Sequence, residues 1–174
     1  MKIGVDAGPL SEVDAKLVRA AARTHRATGL PIYSHTGDGV AALAQVTVLE
    51  QERTPMAAFV WVHAQNETDA AVHAQVGRRG AWVSFDGVSA DSLDRHLGYV
   101  LAMREATLLD RVLVSHDAGW YHVGEPDGGT YRPHDLIFTD LLPALRARGL
   151  TAGESAQLMV ENPRAALTPH RASG

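Results

Sequence analysis

Val112-Leu113-Val114-Ser115-His116-Asp117 is the stretch on which the reading of this chain turns. A short, β-branched apolar run reads as a buried strand, and its exit delivers an imidazole and a carboxylate side by side. The same grammar recurs upstream. Ile32-Tyr33-Ser34 runs into His35, Phe59-Val60-Trp61-Val62 into His63, and Trp82-Val83-Ser84-Phe85 into Asp86. With Ile3–Val5 these make five strand candidates, spanning Ile3–Val5, Ile32–Ser34, Ala57–Val62, Ala81–Phe85 and Val112–Ser115.

The intervals between them carry helical spacing. Ser11 caps a predicted helix to about Thr28, with Val13, Leu17, Ala20, Ala21 and Thr24 on its apolar face and Gly29 as its stop. Val40, Leu43, Ala44 and Val48 repeat at helical intervals, as do Leu93, Leu97, Val100, Leu101 and Leu108. Residues 67–77 predict a shorter helix, and Asp135–Arg148 a helix interrupted at Pro143. Thr151-Ala152-Gly153-Glu154 is a capping-box pattern, opening a last helix expected to end near Asn162-Pro163.

A βαβαβαβαβα chain with near-continuously apolar strands points to a parallel sheet covered by helices on at least one side. Two architectures fit. One is a doubly wound open sheet; the other is part of a (β/α)8 barrel, which needs about 250 residues and eight strands. Periodicity does not choose between them. Parallel strands, however, place their C-terminal ends on one rim, so His35, His63, Asp86 and Asp117 should converge there. Imidazole and carboxylate together ligate zinc and similar divalent ions. The alternative reading of each is a hydrogen-bonded residue at a strand end.

Composition narrows the classes. The 174 residues are expected to form a single domain, 1–174, and 45% hydrophobic content supports a buried core. A net charge of −4, with Arg78-Arg79 as the one dense basic cluster, argues against a nucleic-acid surface. The absence of cysteine removes disulfides, thiolate metal sites and cysteine nucleophiles. No apolar run approaches the roughly 18 residues of a membrane span, and residues 1–20 lack a signal-peptide core, so a cytoplasmic location is expected. No serine sits in a Gly-x-Ser-x-Gly elbow. Of the remaining histidines, His25, His73 and His96 fall inside helices and read as solvated. His122 and His134 flank the long irregular segment Ala118–Pro133 as candidates to touch substrate, and His170 lies in the tail without a role.

An ordered set of segments resembles the C-terminal part of the phosphotriesterase family, within the amidohydrolase superfamily. It comprises Lys2-Ile3-Gly4-Val5, Ala20-Ala21-Ala22-Arg23 with Thr28-Gly29-Leu30-Pro31, Ser34-His35-Thr36-Gly37, Trp61-Val62-His63, Phe85-Asp86-Gly87, the Val112–Asp117 stretch and Val160-Glu161-Asn162-Pro163. The resemblance implies a partial (β/α)8 TIM barrel comprising roughly strands four to eight, with strands one to three absent. It implies a metal-dependent hydrolase holding two divalent ions, often zinc, bridged by a hydroxide and a carbamylated lysine. By position Lys2 matches that lysine, His35 and His63 the ligands of the more exposed metal, and Asp117 the aspartate that binds the other metal and accepts a proton. The other reading of Lys2 is a frayed N-terminal residue.

Departures from the family pattern bear on activity. The His-x-His pair of the first strand has no counterpart, which leads to the expectation of a truncated fragment of a longer enzyme, with fewer metals bound. Gly87 follows Asp86 where lactonase and organophosphate-hydrolysing members carry Arg or His, and Asn66 stands where many relatives have Asp. Small esters, lactones or phosphoesters are the substrate classes implied. Asp86, Trp120 and Tyr121 are the candidate substrate contacts. The contrasting expectation is an inactive fragment whose two free sheet edges invite dimerisation. A doubly wound nucleotide domain is disfavoured, because Asp6-Ala7-Gly8-Pro9 lacks the Gly-x-Gly-x-x-Gly spacing.

Overall fold

Each apolar run becomes a strand, and the strands pair in the order in which they occur. In the computed structural model, which describes residues 1–169, these are β1 (Lys2–Val5), β2 (Ile32–Thr36), β3 (Phe59–Val62), β4 (Trp82–Phe85) and β5 (Val112–Val114). All neighbours are parallel and the sheet order is β1-β2-β3-β4-β5. A doubly wound sheet reverses its strand order at a switch point; this one does not. His170 lies outside the described residues.

Helix α1 (Glu12–Thr28) begins at a capping box between Ser11 and Asp14 and ends at Gly29, whose φ of 74° suits the left-handed cap. Its buried face differs from the expected one. Val18, Ala21, Ala22 and His25 meet the sheet, while Val13 is 74% exposed. Two apolar stripes compete on this helix, and the one with small residues wins because alanines let the helix axis approach the strands closely. Helices α2 (Gly39–Gln51) and α3 (Ala70–Arg78) are capped by the Asp38 and Asp69 carboxylates, and α4 is Leu93–Glu105.

The last third departs further from the pattern. Ala118–Pro133 contains only a single 3-10 turn at Pro126–Gly128. A π-helical turn, Ile137–Leu141, then leads into α5 (Leu142–Ala147). After α6 (Ala152–Ala156) a second π turn, Gln157–Glu161, leads into α7 (Asn162–Leu167). Neither Pro143 nor Pro163 ends its helix. Proline lacks an N–H and crowds the carbonyl four residues back; the wider π turn before each proline relieves both problems.

Side chains alternate across the sheet. Val5, Ile32, Phe59, Trp61, Val83, Phe85 and Val112 pack in one cluster with Val18, Val46, Leu49, Val76, Leu97 and Val100 of the helices. On the opposite face Val60, Trp82 and Leu113 pack with Ala166 of α7, beside Tyr33 and Val62. Buried Asn162, at the start of α7, donates from Nδ2 to the carbonyls of Leu109 and Val112, both at 2.8 Å, and so ties the last helix to β5. Among the described residues no helix is long and apolar enough to cross a membrane.

Candidate metal centre

The rim expected from the strand ends exists. His35 is the fourth residue of β2, His63 and Asp86 directly follow β3 and β4, and Asp117 lies just beyond β5. The rings of His35 and His63 meet edge to face with centroids 4.3 Å apart. His63, Asp86 and Asp117 each offer a ligand atom within 4.8 Å of the others. Lys2, Tyr33, His63, Ser84, Asp86 and Asp117 line one cavity of about 290 Å³, with Pro163 and Leu167 of α7 on its wall. Burial raises the pKa of the Tyr33 phenol there.

Lys2 is not frayed. The Met1 ammonium donates to the Pro31 carbonyl at 2.7 Å and the Met1 carbonyl accepts from Tyr33 N–H at 2.9 Å. Lys2 therefore sits in register opposite Tyr33.

Two of the rim residues occupy backbone conformations that L-residues avoid. His63 has φ 64° and ψ 38°, and Asp117 has φ 43°. Such positions cost about 1–2 kcal/mol each and persist only where surroundings over-determine them. At His63 the determinant is Asp86, whose carboxylate accepts from the His63 backbone N–H at 2.8 Å and from its Nδ1–H. Gln65 adds a clamp, donating from Nε2 to Asp86 at 2.7 Å and accepting from the Asp86 N–H at 3.1 Å. At Asp117, the Arg132 guanidinium donates to the carbonyls of His116 (2.9 Å) and Asp117 (2.7 Å), and Trp120 Nε1 donates to the latter at 3.1 Å.

This arrangement fixes a tautomer. With Nδ1–H committed to Asp86, His63 presents Nε2 as a lone pair, the form in which imidazole ligates metals. The imidazole of His63 and the carboxylates of Asp86 and Asp117 offer the nitrogen and oxygen donors that divalent cations take. Asp86 borders the cavity but is only 2% exposed, and its carboxylate is engaged by His63 and Gln65.

Other candidates lie elsewhere. Trp120 and Tyr121 are exposed and outside the cavity; Tyr121 folds back over Gly128, where any side chain would collide with its ring. His116 turns away from the rim and accepts the Ile137 N–H on Nε2 at 3.0 Å. Burial first, then the neighbouring His134 and Arg132, lowers its pKa and so favours the unprotonated acceptor. His134 donates from Nε2 to Ala118 and accepts from the Tyr131 hydroxyl, while His122 faces Glu125 at 3.5 Å.

The helix histidines overturn the solvated reading. His25, His73 and His96 are buried, and each has a ring nitrogen within 2.9 Å of a backbone carbonyl. A signal was present: His96 precedes Leu97, Val100 and Met103 at intervals of one helical face, as His25 follows Val18, Ala21 and Ala22. Nothing in the sequence marked Gln65 or Arg132.

A model of the phosphotriesterase family matches residues 1–167. The chain belongs to that family. It is 26% identical over 165 residues to the phosphotriesterase homology protein of Escherichia coli, covering 93% of this chain and 56% of that one. Among solved structures, the lactonase Lmo2620 from Listeria monocytogenes superposes with a TM-score of 0.86 at 26% identity, over 98% of this chain and 54% of that one. The organophosphorus hydrolase from Deinococcus radiodurans gives 0.85 at 27% identity, over 96% and 54%. The chain thus spans about half the length of the family relatives it matches.

Proposed function

We propose that this chain carries most of the metal-binding rim of a phosphotriesterase-type hydrolase. In this reading the five-stranded sheet is an arc of an eight-stranded barrel, strands four to eight. Sequential strand order and helices α1 to α4 packed on one face of the sheet support it. Lys2, His35, His63 and Asp117 are the metal-holding residues, with Lys2 carbamylated and zinc the first ion to test. The observation that carries the reading is the approach of one ligand atom each of His63, Asp86 and Asp117 to within 4.8 Å of one another, beside the His35 ring.

When bound, a divalent cation supplies Lewis acidity, acidifying water and polarising a carbonyl or phosphoryl oxygen. The chain's own residues do the rest. Asp117 takes the proton released by the attacking water on its carboxylate, from an exposed position that leaves it reachable. Asp86 keeps His63 in its ligating tautomer. Tyr33 and Leu113 line the adjoining cavity, which suits the uncharged part of a small ester, lactone or phosphoester. The relatives described as a lactonase and an organophosphorus hydrolase fit those classes.

Zinc titration by calorimetry, beside hydrolysis of a lactone, an aryl ester and an aryl phosphotriester, tests the proposal. The expected result is zinc binding that His63→Ala and Asp117→Asn each weaken strongly. Equal binding by wild type and both variants would remove the site. Binding without turnover would favour the second reading, an arc that holds metal weakly and needs further polypeptide to act.

A further inference from the structure

Behind the rim lies a layer of contacts that metal ligation does not explain. His96 of α4 reaches through the core to place Nε2 2.8 Å from the carbonyl of Asp86, while its Nδ1 faces the Ser92 carbonyl at 2.9 Å. His73 of α3 donates from Nε2 to the carbonyl of Ala64, the residue after His63, at 2.8 Å. Both rings are 1% exposed. Their helices otherwise turn Ala74, Val76, Leu97, Val100 and Met103 inward, so an apolar side chain at either site would continue the stripe. His73 is packed among Trp61, Phe85 and Tyr99, and its Nδ1 has no hydrogen-bond partner among the described residues. Burial lowers its pKa, so desolvation opposes the charged form. Keeping an imidazole in such a place is costly, and the compensation it receives is a single bond to a rim carbonyl.

The points of attachment are those that need holding. Asp86 is followed by Gly87 at φ 71°, a residue that restrains its peptide little. Ala64 is preceded by His63 in the left-handed conformation, where the chain's departure from β3 is fixed by few local preferences. We propose that His96 and His73 are positioning residues for the His63–Asp86 pair, acting from behind the sheet through the carbonyls of Asp86 and Ala64. This rests on the reading of His63 as a metal-holding residue, yet it makes a claim about the metal-free protein as well. The two latches set the angle at which Asp86 meets Nδ1 of His63, and so decide the tautomer.

The test compares His96→Phe, which keeps a ring but loses the donor, with His96→Gln, whose amide nitrogen can reach the same carbonyl. Two readouts are taken on the full chain well below its unfolding temperature: zinc affinity by calorimetry, and the tautomer of His63 from nitrogen–proton correlation spectra of the metal-free, histidine-labelled protein. The expected outcome is a loss of about tenfold or more in affinity for His96→Phe, typical of residues that orient a ligand. The same variant should show His63 shifting from Nδ1–H to mixed tautomers, with His96→Gln restoring both. His73→Phe and His73→Gln make the equivalent comparison on α3, and decide the matter should His96→Phe not fold. If the Phe variants keep wild-type affinity and tautomer and lose only melting temperature, the histidines are core residues and the proposal falls. If wild type binds no zinc, the hydrolase reading fails by itself. The tautomer shift then decides the positioning claim separately.

Discussion

His63 shows how much a single backbone angle can say. Its left-handed conformation tolerates Asn far better than a β-branched residue, and an Asn amide can still donate toward Asp86. His63→Asn should therefore melt within a few degrees of wild type while losing zinc affinity. His63→Val should lose both, at a stability cost above about 1–2 kcal/mol. Thermal melts beside zinc titrations check the contrast. A comparable argument applies under His35, where Ser34 Oγ donates to Gln45 Oε1 at 2.6 Å and Gln45 Nε2 to Thr36 Oγ1 at 3.0 Å, all buried. Gln45→Leu strands the Ser34 hydroxyl, while Thr36 Oγ1 keeps its bond to the Ser34 carbonyl; the loss should cost about 1–3 kcal/mol for the unsatisfied group, measurable by urea denaturation. At this scale the residues facing the cavity were legible, because a strand end announces where a side chain goes. Their supports were not. Gln65 and Arg132 act through contacts made across the fold, and His73 and His96 carry a polar ring into an apolar register that invites the surface reading.

Helices were legible as helices and less so as surfaces. Caps at Ser11 and Thr151 and the stop at Gly29 are local chemistry, and the chain announces them. Which stripe of α1 turns inward depends on how closely alanine permits approach, a property of the pair and not of the helix. The prolines misled for the same reason, since a π turn has no sequence signature of its own. One tie between elements carries a pH signature. Arg104 of α4 donates to Glu154 of α6 at 2.6 and 3.2 Å, and with the Thr151 bonds this holds the Glu154 pKa at about 2. A carboxylate depressed from 4.5 stabilises the fold above that value and loses its contribution as pH falls toward 2. Arg104→Met should thus lower the melting temperature at pH 7, and the gap should narrow between pH 4.5 and 2. It should not vanish, because the bond from Arg104 to the Gly149 carbonyl is lost at every pH. Melting curves across that range read the effect.

Taken whole, the molecule is a sheet whose neighbours in space are neighbours in sequence, with a polar rim at the strand ends and α7 covering the face beneath it. Parallel order and helical cover followed from the alternation of runs. The strand order was not legible in that alternation; its running without reversal sets this sheet apart from a doubly wound one. A metal held at the rim would link β2, β3 and the segment after β5, so ligand binding should appear as global stabilisation. Free zinc at a hundred times its dissociation constant should add about 2.7 kcal/mol. Chelator should return the melting temperature to that of the metal-free chain, and no zinc-dependent shift should occur in His63→Ala.

The clamp made by Asn162 has a temporal side. Its amide reaches the Val112 carbonyl from 50 residues further along the chain. During synthesis at ~5–20 residues per second, β5 therefore leaves the ribosome several seconds before its fastener does. β5 can pair with β4 on arrival, but the carbonyls of Leu109 and Val112 wait uncapped for Asn162, open to other donors in the interval. The length of that interval is written into the 50 residues that separate two side-by-side segments.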